Sequence, residues 1–225
     1  MRNRTDVKST AKSEETRQKI FSAALALFLD GGFETTTMRD IAAKAGVATG
    51  AAYYYFASKD AFVLAFYEKS ALEMAPLLEE ALASSSDLRK RLAAILDVKL
   101  AYFAASRRLL KALAAHVDPE HPLSPFSEAT KAIRDQDIAC FALAVSGSKT
   151  RVAADMDSAL PRLLWMYQMG VILYWIHDRS ADQERTRALI DKSLGIIVRL
   201  IQLSSLPLMS PVRRQALELY RLVAE

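Results

Sequence analysis

Cysteine is nearly absent from this chain: Cys140 is the only one. A single thiol cannot build an intrachain disulfide framework, so a reducing cytoplasmic setting is expected and Cys140 reads as a small residue of the core. Histidine is almost as scarce. His116, His121 and His177 stand at no spacing that puts two ligands on one helix face, so no metal site is expected. Glycine and proline, seven of each, are too few for a strand-rich fold, while Ala, Leu, Lys, Glu and Arg are plentiful, and that balance favours helices. A nucleophile elbow, a Gly-rich phosphate loop and a His-Glu zinc motif are all missing, which argues against an enzyme and against a bound cofactor.

Long hydrophobic runs are also missing. The best candidate, LPRLLWMYQMGVILYWI at 160 to 176, is short of the ~20 apolar residues a membrane span needs and carries Arg162 and Gln168. It reads as a core or interface helix, and no membrane partner is expected. The opening MRNRTDVKSTAKSEETRQK is polar, with six Lys/Arg against three Asp/Glu, and has no apolar stretch of signal-peptide type. A net charge of +4 permits a nucleic-acid partner without requiring one.

What is present is helical periodicity. Residues 1 to 13 lack a pattern and read as a flexible basic arm, with Arg2, Arg4, Lys8 and Lys12 available to phosphates. Ser13 resembles an N-cap ahead of Glu14 and Glu15, Ile20, Ala23, Ala24, Leu27 and Phe28 follow at helical spacing, and the DGG at 30 to 32 stops the helix. Thr37 with Asp40 predicts a capping box, then a helix from Met38 that buries Ile41, Ala42 and Ala45. Gly46 supplies a tight turn, Val47 plugs it, and a short helix over 48 to 54 completes a helix–turn–helix. Ser58 caps a further helix through Leu82; beyond it, apolar helices are predicted at 87–116, 126–146, 158–178, 182–204 and 211–224. The expected fold is all-α: an N-terminal three-helix helix–turn–helix DNA-binding domain (14–69) and a C-terminal helical bundle (70–225) for ligand binding and dimerisation.

The chemistry sits in GVATGAAYYYF at 46 to 56. The second helix of such a motif enters the major groove, and close approach demands small residues. Ala48, Thr49, Gly50, Ala51 and Ala52 satisfy that demand. Three consecutive tyrosines cannot all face inward, so one is expected to share an inner face with Phe56 while another points outward and offers its hydroxyl to phosphate. Lys59 and Arg39 add charged phosphate contacts.

Residues 16 to 68, TRQKIFSAALALFLDGGFETTTMRDIAAKAGVATGAAYYYFASKDAFVLAFYE, resemble the DNA-binding domain of TetR-family transcriptional regulators over about 50 residues almost without a gap. The resemblance implies phosphate or base contacts for Thr37, Arg39, Thr49, Gly50, Ala51, Tyr53, Tyr54 and Lys59. Ala48 and Thr49 stand where that family often has Ser and Lys, so base reading rests more on shape and methyl contact than on charge. It also implies a homodimer on a palindromic double-stranded operator, acting as a repressor that a small apolar effector releases.

The C-terminal half offers material for both roles. Leu160, Leu163, Leu164, Tyr167, Val171, Tyr174 and Trp175 on one helix, and Leu189, Ile190, Leu194, Ile197, Val198 and Ile201 on the next, would form a four-helix bundle with a second copy. Tyr102, Phe103, His116, Phe141, Trp165, Met166, Met169 and Tyr174 are the candidate lining of an effector pocket. A DNA-binding adaptor whose bundle docks a protein partner, with no small molecule, is the alternative; a bundle packed without a cavity would favour it.

Overall fold

Nothing between Arg4 and Asp30 breaks a helix: the stretch holds neither glycine nor proline. In the computed structural model, which describes residues 4–224 and the side chains of residues 11–222, it forms one helix, α1 (Arg4–Asp30). Ser13 therefore lies inside α1 and does not cap it, and the expected arm is helical from Arg4; Arg2 lies outside the described residues. The helix ends where Gly31 and Gly32 donate their N–H groups to Leu27 O at 2.8 and 3.2 Å.

α2 (Met38–Ala45) opens on the predicted capping box, with Asp40 N–H donating to Thr37 Oγ1 at 3.2 Å and Thr37 N–H to Asp40 Oδ2 at 2.9 Å. It closes on Gly46 at φ 64°, the left-handed conformation that favours glycine. α3 (Thr49–Tyr55) follows at once, then α4 (Lys59–Ala83), whose first turn has Ala61 N–H on Ser58 Oγ at 3.3 Å. The predicted 87–116 helix is interrupted. α5 (Leu88–Phe103) gives way to a 3-10 turn at Ala104–Ser106 before α6 (Arg107–Leu113). α7 (Lys131–Ser146) starts later than its periodicity suggests, because Ser127 and Thr130 turn their hydroxyls back onto Ser124 O at 3.0 and 2.7 Å. α8 (Leu160–His177), α9 (Glu184–Ser204) and α10 (Ser210–Ala224) complete an all-helical chain with no strand among the described residues.

Two compact units result. The first takes residues up to Ser70 together with Ser106–Thr130; the second takes Ala71–Ala105 and everything from Lys131 onward. In the first, Phe28, Phe33, Phe56 and Phe62 make a buried aromatic centre, with Phe56 stacked on Phe62 at 4.0 Å and Phe28 edge-on to Phe33 at 5.1 Å. Arg108 at the start of α6 donates to Asp30 O at 3.0 Å, which ties that helix to the end of α1. In the second, Leu92, Ile95 and Leu96 of α5 pack with Phe141 of α7, Leu164 and Trp165 of α8 and Leu194 of α9.

The α8–α9 corner is built around a buried carboxylate. Asp178 Oδ2 accepts from Thr186 Oγ1 at 2.6 Å and Thr186 N–H at 2.9 Å, while Oδ1 accepts from Ser180 Oγ at 2.7 Å and Ser180 N–H at 2.9 Å. The Thr186 hydroxyl above all, then the Ser180 donors and the Thr186 N–H, hold its pKa well below the usual carboxylate range against the opposing effect of burial. A folded-state pKa below the unfolded one stabilises the fold above about pH 4 and ceases to do so as pH falls through the folded value. Asp178→Asn should therefore lower the melting temperature at neutral pH and flatten its decline on acidification, followed by circular dichroism. Equal melting curves for the two proteins would show that the corner does not depend on this charge.

Candidate nucleic-acid interface

The short helix α3 buries one edge and leaves the other bare. Ala52 has no exposed surface and Phe56, its C-cap, is buried between Phe62 and Phe21, with the Arg17 guanidinium 5.0 Å over its ring. Thr49 and Gly50 are exposed, and Ala51 is half-buried. A methyl group placed on Gly50 would meet nothing within 4 Å, so the fold itself has no need of glycine there.

The three tyrosines separate as their spacing requires. Tyr54 is 82% exposed and Tyr53 51%. Tyr55 is half-buried, edge-on to Tyr54 at 5.1 Å, with its hydroxyl 3.2 Å from Ser13 Oγ on α1. Phe56 anchors the helix, Tyr55 fastens it to α1, and the two preceding rings face outward.

Two of the expected phosphate contacts have other partners. The Thr37 hydroxyl donates to Asp40 Oδ2 at 2.7 Å while accepting from Asp40 N–H, so it serves the helix cap. The Lys59 ammonium donates to Phe33 O at 2.8 Å and Glu34 O at 3.2 Å and lies 4.7 Å over the Phe33 ring. An ammonium has three N–H groups, so one remains for another acceptor. Lys59 thus clamps the α1–α2 connection first. Arg39 stays exposed on α2.

Of the candidate pocket residues, Phe141, Trp165, Tyr102, Phe103 and Met169 gather in or against the core of the second unit, but none of the eight lines the cavity of that unit. Phe141 and Trp165 are buried in the core of the second unit, while Met166 and Tyr174 are exposed. Tyr102 is bonded to Glu73 and edge-on to Phe103 at 5.2 Å, and Met169 packs beside the core. His116 belongs to the first unit, stacked on His121 at 4.0 Å and 3.8 Å from Glu34. A cavity of about 660 Å³ lies elsewhere in the second unit, walled by Met74, Leu78 and Leu82 of α4 and Asp137, Cys140 and Leu143 of α7. Cys140, expected in the core, is half-buried on this wall, and burial pushes its thiol pKa up.

Three charged residues adjoin the cavity: Glu79, Arg91 and Asp137. Asp137 pairs with the buried Lys99 at 2.6 Å and accepts from Gln168 Nε2 at 3.3 Å. Arg91 donates to four backbone carbonyls: Ala144 O at 2.8 Å, Leu143 O at 2.8 Å, Ser85 O at 2.9 Å and Leu82 O. It closes the ends of α4 and α7 together. Neither the cavity nor the Arg91 cradle is visible in periodicity, since both join residues far apart in the chain; the alanines at 71, 75 and 139 are the nearest thing to a signal.

Known proteins agree with this architecture. The model described as "Bacterial regulatory proteins, tetR family" matches residues 20–66, and "Tetracyclin repressor-like, C-terminal domain" matches residues 91–214. The regulator SrpR of Pseudomonas putida is 48% identical over 52 residues, 23% of this chain and 24% of that protein. AcrR of Shigella flexneri is 38% identical over 63 residues, 28% of this chain and 29% of that protein. The chain thus aligns with only about a quarter of the length of these curated relatives. Across most of the chain the likeness is one of fold. A TetR-family regulator from Syntrophomonas wolfei has a TM-score of 0.63 at 20% identity, covering 82% of this chain and 95% of that one. FadR from Bacillus subtilis, solved in complex with stearoyl-CoA, has 0.60 at 16%, covering 80% and 97%. Because the second family model alone takes in more than half of the chain and the first falls on the helix–turn–helix, this protein belongs to the TetR family of DNA-binding transcriptional regulators.

Proposed function

We propose that the protein is a homodimeric repressor that leaves a palindromic operator when a small, largely apolar molecule occupies the cavity of its second unit. The observation that carries this reading is the course of α4. Its first turn follows α3 with only three residues between, and its later turns present Met74, Leu78 and Leu82 to the cavity. A ligand that fits one setting of α4 better than another shifts the population between operator-binding and released forms. Apolar walls with Asp137 at the margin suit an apolar body carrying one polar group. The cavity also counts against the adaptor reading, which needs a bundle packed without one. Residues 14–69 then bind the operator and 70–225 hold effector and partner copy, except that 106–130 packs with the first unit.

A second copy has a surface to meet. Leu160, Leu164, Val171 and Trp175 of α8 and Ile190, Leu194 and Ile201 of α9 are buried within the subunit. Leu163, Met166, Leu173 and Tyr174 of α8 and Leu189, Ile196, Leu200 and Leu203 of α9 are exposed. The latter set supports a four-helix bundle between two copies.

Cys140 makes the reading testable, being the only thiol and lying on the cavity wall. Its raised pKa keeps the reactive thiolate scarce at neutral pH, so alkylation by N-ethylmaleimide should be slow there and faster as pH rises. Apolar compounds screened for protection of Cys140 should include one that also releases a fluorescent duplex carrying the palindrome. Compounds that protect Cys140 fully and leave the duplex bound would refute release by an effector.

A further inference from the structure

The last helix, α10, is apolar on two opposite sides. On one, Leu217 is buried and Tyr220 half-buried, and the half-buried Arg213 pairs with Asp155 at 2.6 Å. On the other, Leu208 just ahead of the helix, then Val212, Gln215, Leu219 and Leu222, follow at alternating steps of four and three residues. All five are exposed, Leu208 by 88% and Leu222 by 80%. Alternating steps of four and three are the seam along which helices close on one another. A helix with apolar stripes on both sides is stable when both are covered, and the single chain covers one.

We propose that this outer seam of α10 packs against a second copy of the chain, so that α10 is a further dimerisation arm beyond the α8–α9 surface; the inference rests on that dimer reading. Three observations favour a second copy. The exposed apolar residues of α9, Ile196, Leu200 and Leu203, are followed through Leu206 to Leu208 and Val212, across a bend of 95° between the two helices. No charged residue interrupts the seam, and its one polar member, Gln215, can exchange amide hydrogen bonds with its own counterpart across a two-fold axis. The polar side of α10 argues against a lipid surface. With Arg213 paired to Asp155, only Arg214 and Arg221 remain against Glu218, a weak attraction for acidic headgroups. The match to the C-terminal family model ends at residue 214, ahead of Leu219 and Leu222.

Sedimentation velocity on the full chain tests the arm. Leu219→Glu with Leu222→Glu, both on exposed positions, should weaken dimerisation by at least about tenfold, with an unchanged helical circular dichroism spectrum. In a Cys140→Ser background, Leu219→Cys should cross-link copy to copy with a short bismaleimide, a readout that does not depend on the charged variant folding. If the parent dimerises, Ile196→Glu abolishes the dimer and the α10 variant matches the parent, the arm is wrong and the α8–α9 reading survives. A parent that stays monomeric to about 100 µM overturns both. Sedimentation of the parent with phosphatidylglycerol–phosphatidylcholine vesicles, lost in the double variant while dimer strength is unchanged, overturns the arm in favour of a membrane.

Discussion

Arg91→Met should destabilise the protein by about 3 kcal/mol or more, the largest loss expected from one surface-distant side chain in the second unit. Arg91 is 8% exposed, and its guanidinium reaches carbonyls at the ends of two helices, Leu82 O of α4 and Leu143 O and Ala144 O of α7, with Ser85 O between α4 and α5. Methionine fills the volume of the stem and removes the cost of burying a charge. It also removes the guanidinium donor from Leu82 O, Ser85 O and Ala144 O, while Leu143 O keeps the Gly147 N–H at 3.0 Å, and each acceptor left dry costs about 1–3 kcal/mol. The second effect wins because several acceptors share the one donor group. Lysine should not rescue the site: one ammonium on a flexible stem cannot reproduce a planar fork that reaches two helix ends at once. Urea unfolding reads the loss directly, and for a chain of this size the melting temperature should fall by roughly 10 °C. A fall of no more than about 2 °C would mean that water satisfies these carbonyls as well as Arg91 does.

What could be read from the sequence follows the range of each signal. Thr37 and Asp40 are three residues apart, and Gly46 turns the chain between two apolar faces. The helix–turn–helix was therefore legible in full, because its instructions are local. The start of α1 was not, since Ser13 has the chemistry of a cap and only an absence of breakers before it lets the helix run back to Arg4. The break at Ala104–Ser106 carries neither glycine nor proline; what distinguishes it is distant, the reach of Arg108 to the end of α1. Aromatic and methionine side chains proved poor markers of a cavity. Large residues such as Phe141 and Trp165 fill space, whereas the cavity opens where Ala71, Ala75 and Ala139 leave it. A hole is a deficit of volume between elements, and periodicity along one element cannot register it.

Tyr54→Ala should cost little stability and much operator affinity. The ring is 82% exposed and stands edge-on to the half-buried Tyr55, so truncation exposes no core. In the proposed complex its hydroxyl donates to a phosphate oxygen. A bond of that kind contributes about 1 kcal/mol, and a two-fold dimer makes it twice, so operator affinity should fall roughly 30-fold. The salt dependence separates this from loss of a charge. Tyrosine carries none, so the slope of log affinity against log salt should match the parent, whereas Arg39→Ala should reduce that slope by about one for each lost phosphate contact. Gly50→Ala completes the comparison with an opposite sign. The added methyl meets nothing within the chain, and replacing glycine in a helix typically stabilises by about 0.5 kcal/mol. If the bare backbone at Gly50 is there to approach DNA closely, the same methyl must weaken operator binding while raising the melting temperature. Operator binding equal to the parent in both Tyr54→Ala and Gly50→Ala, measured by fluorescence anisotropy over a range of salt, would remove α3's exposed edge from the interface.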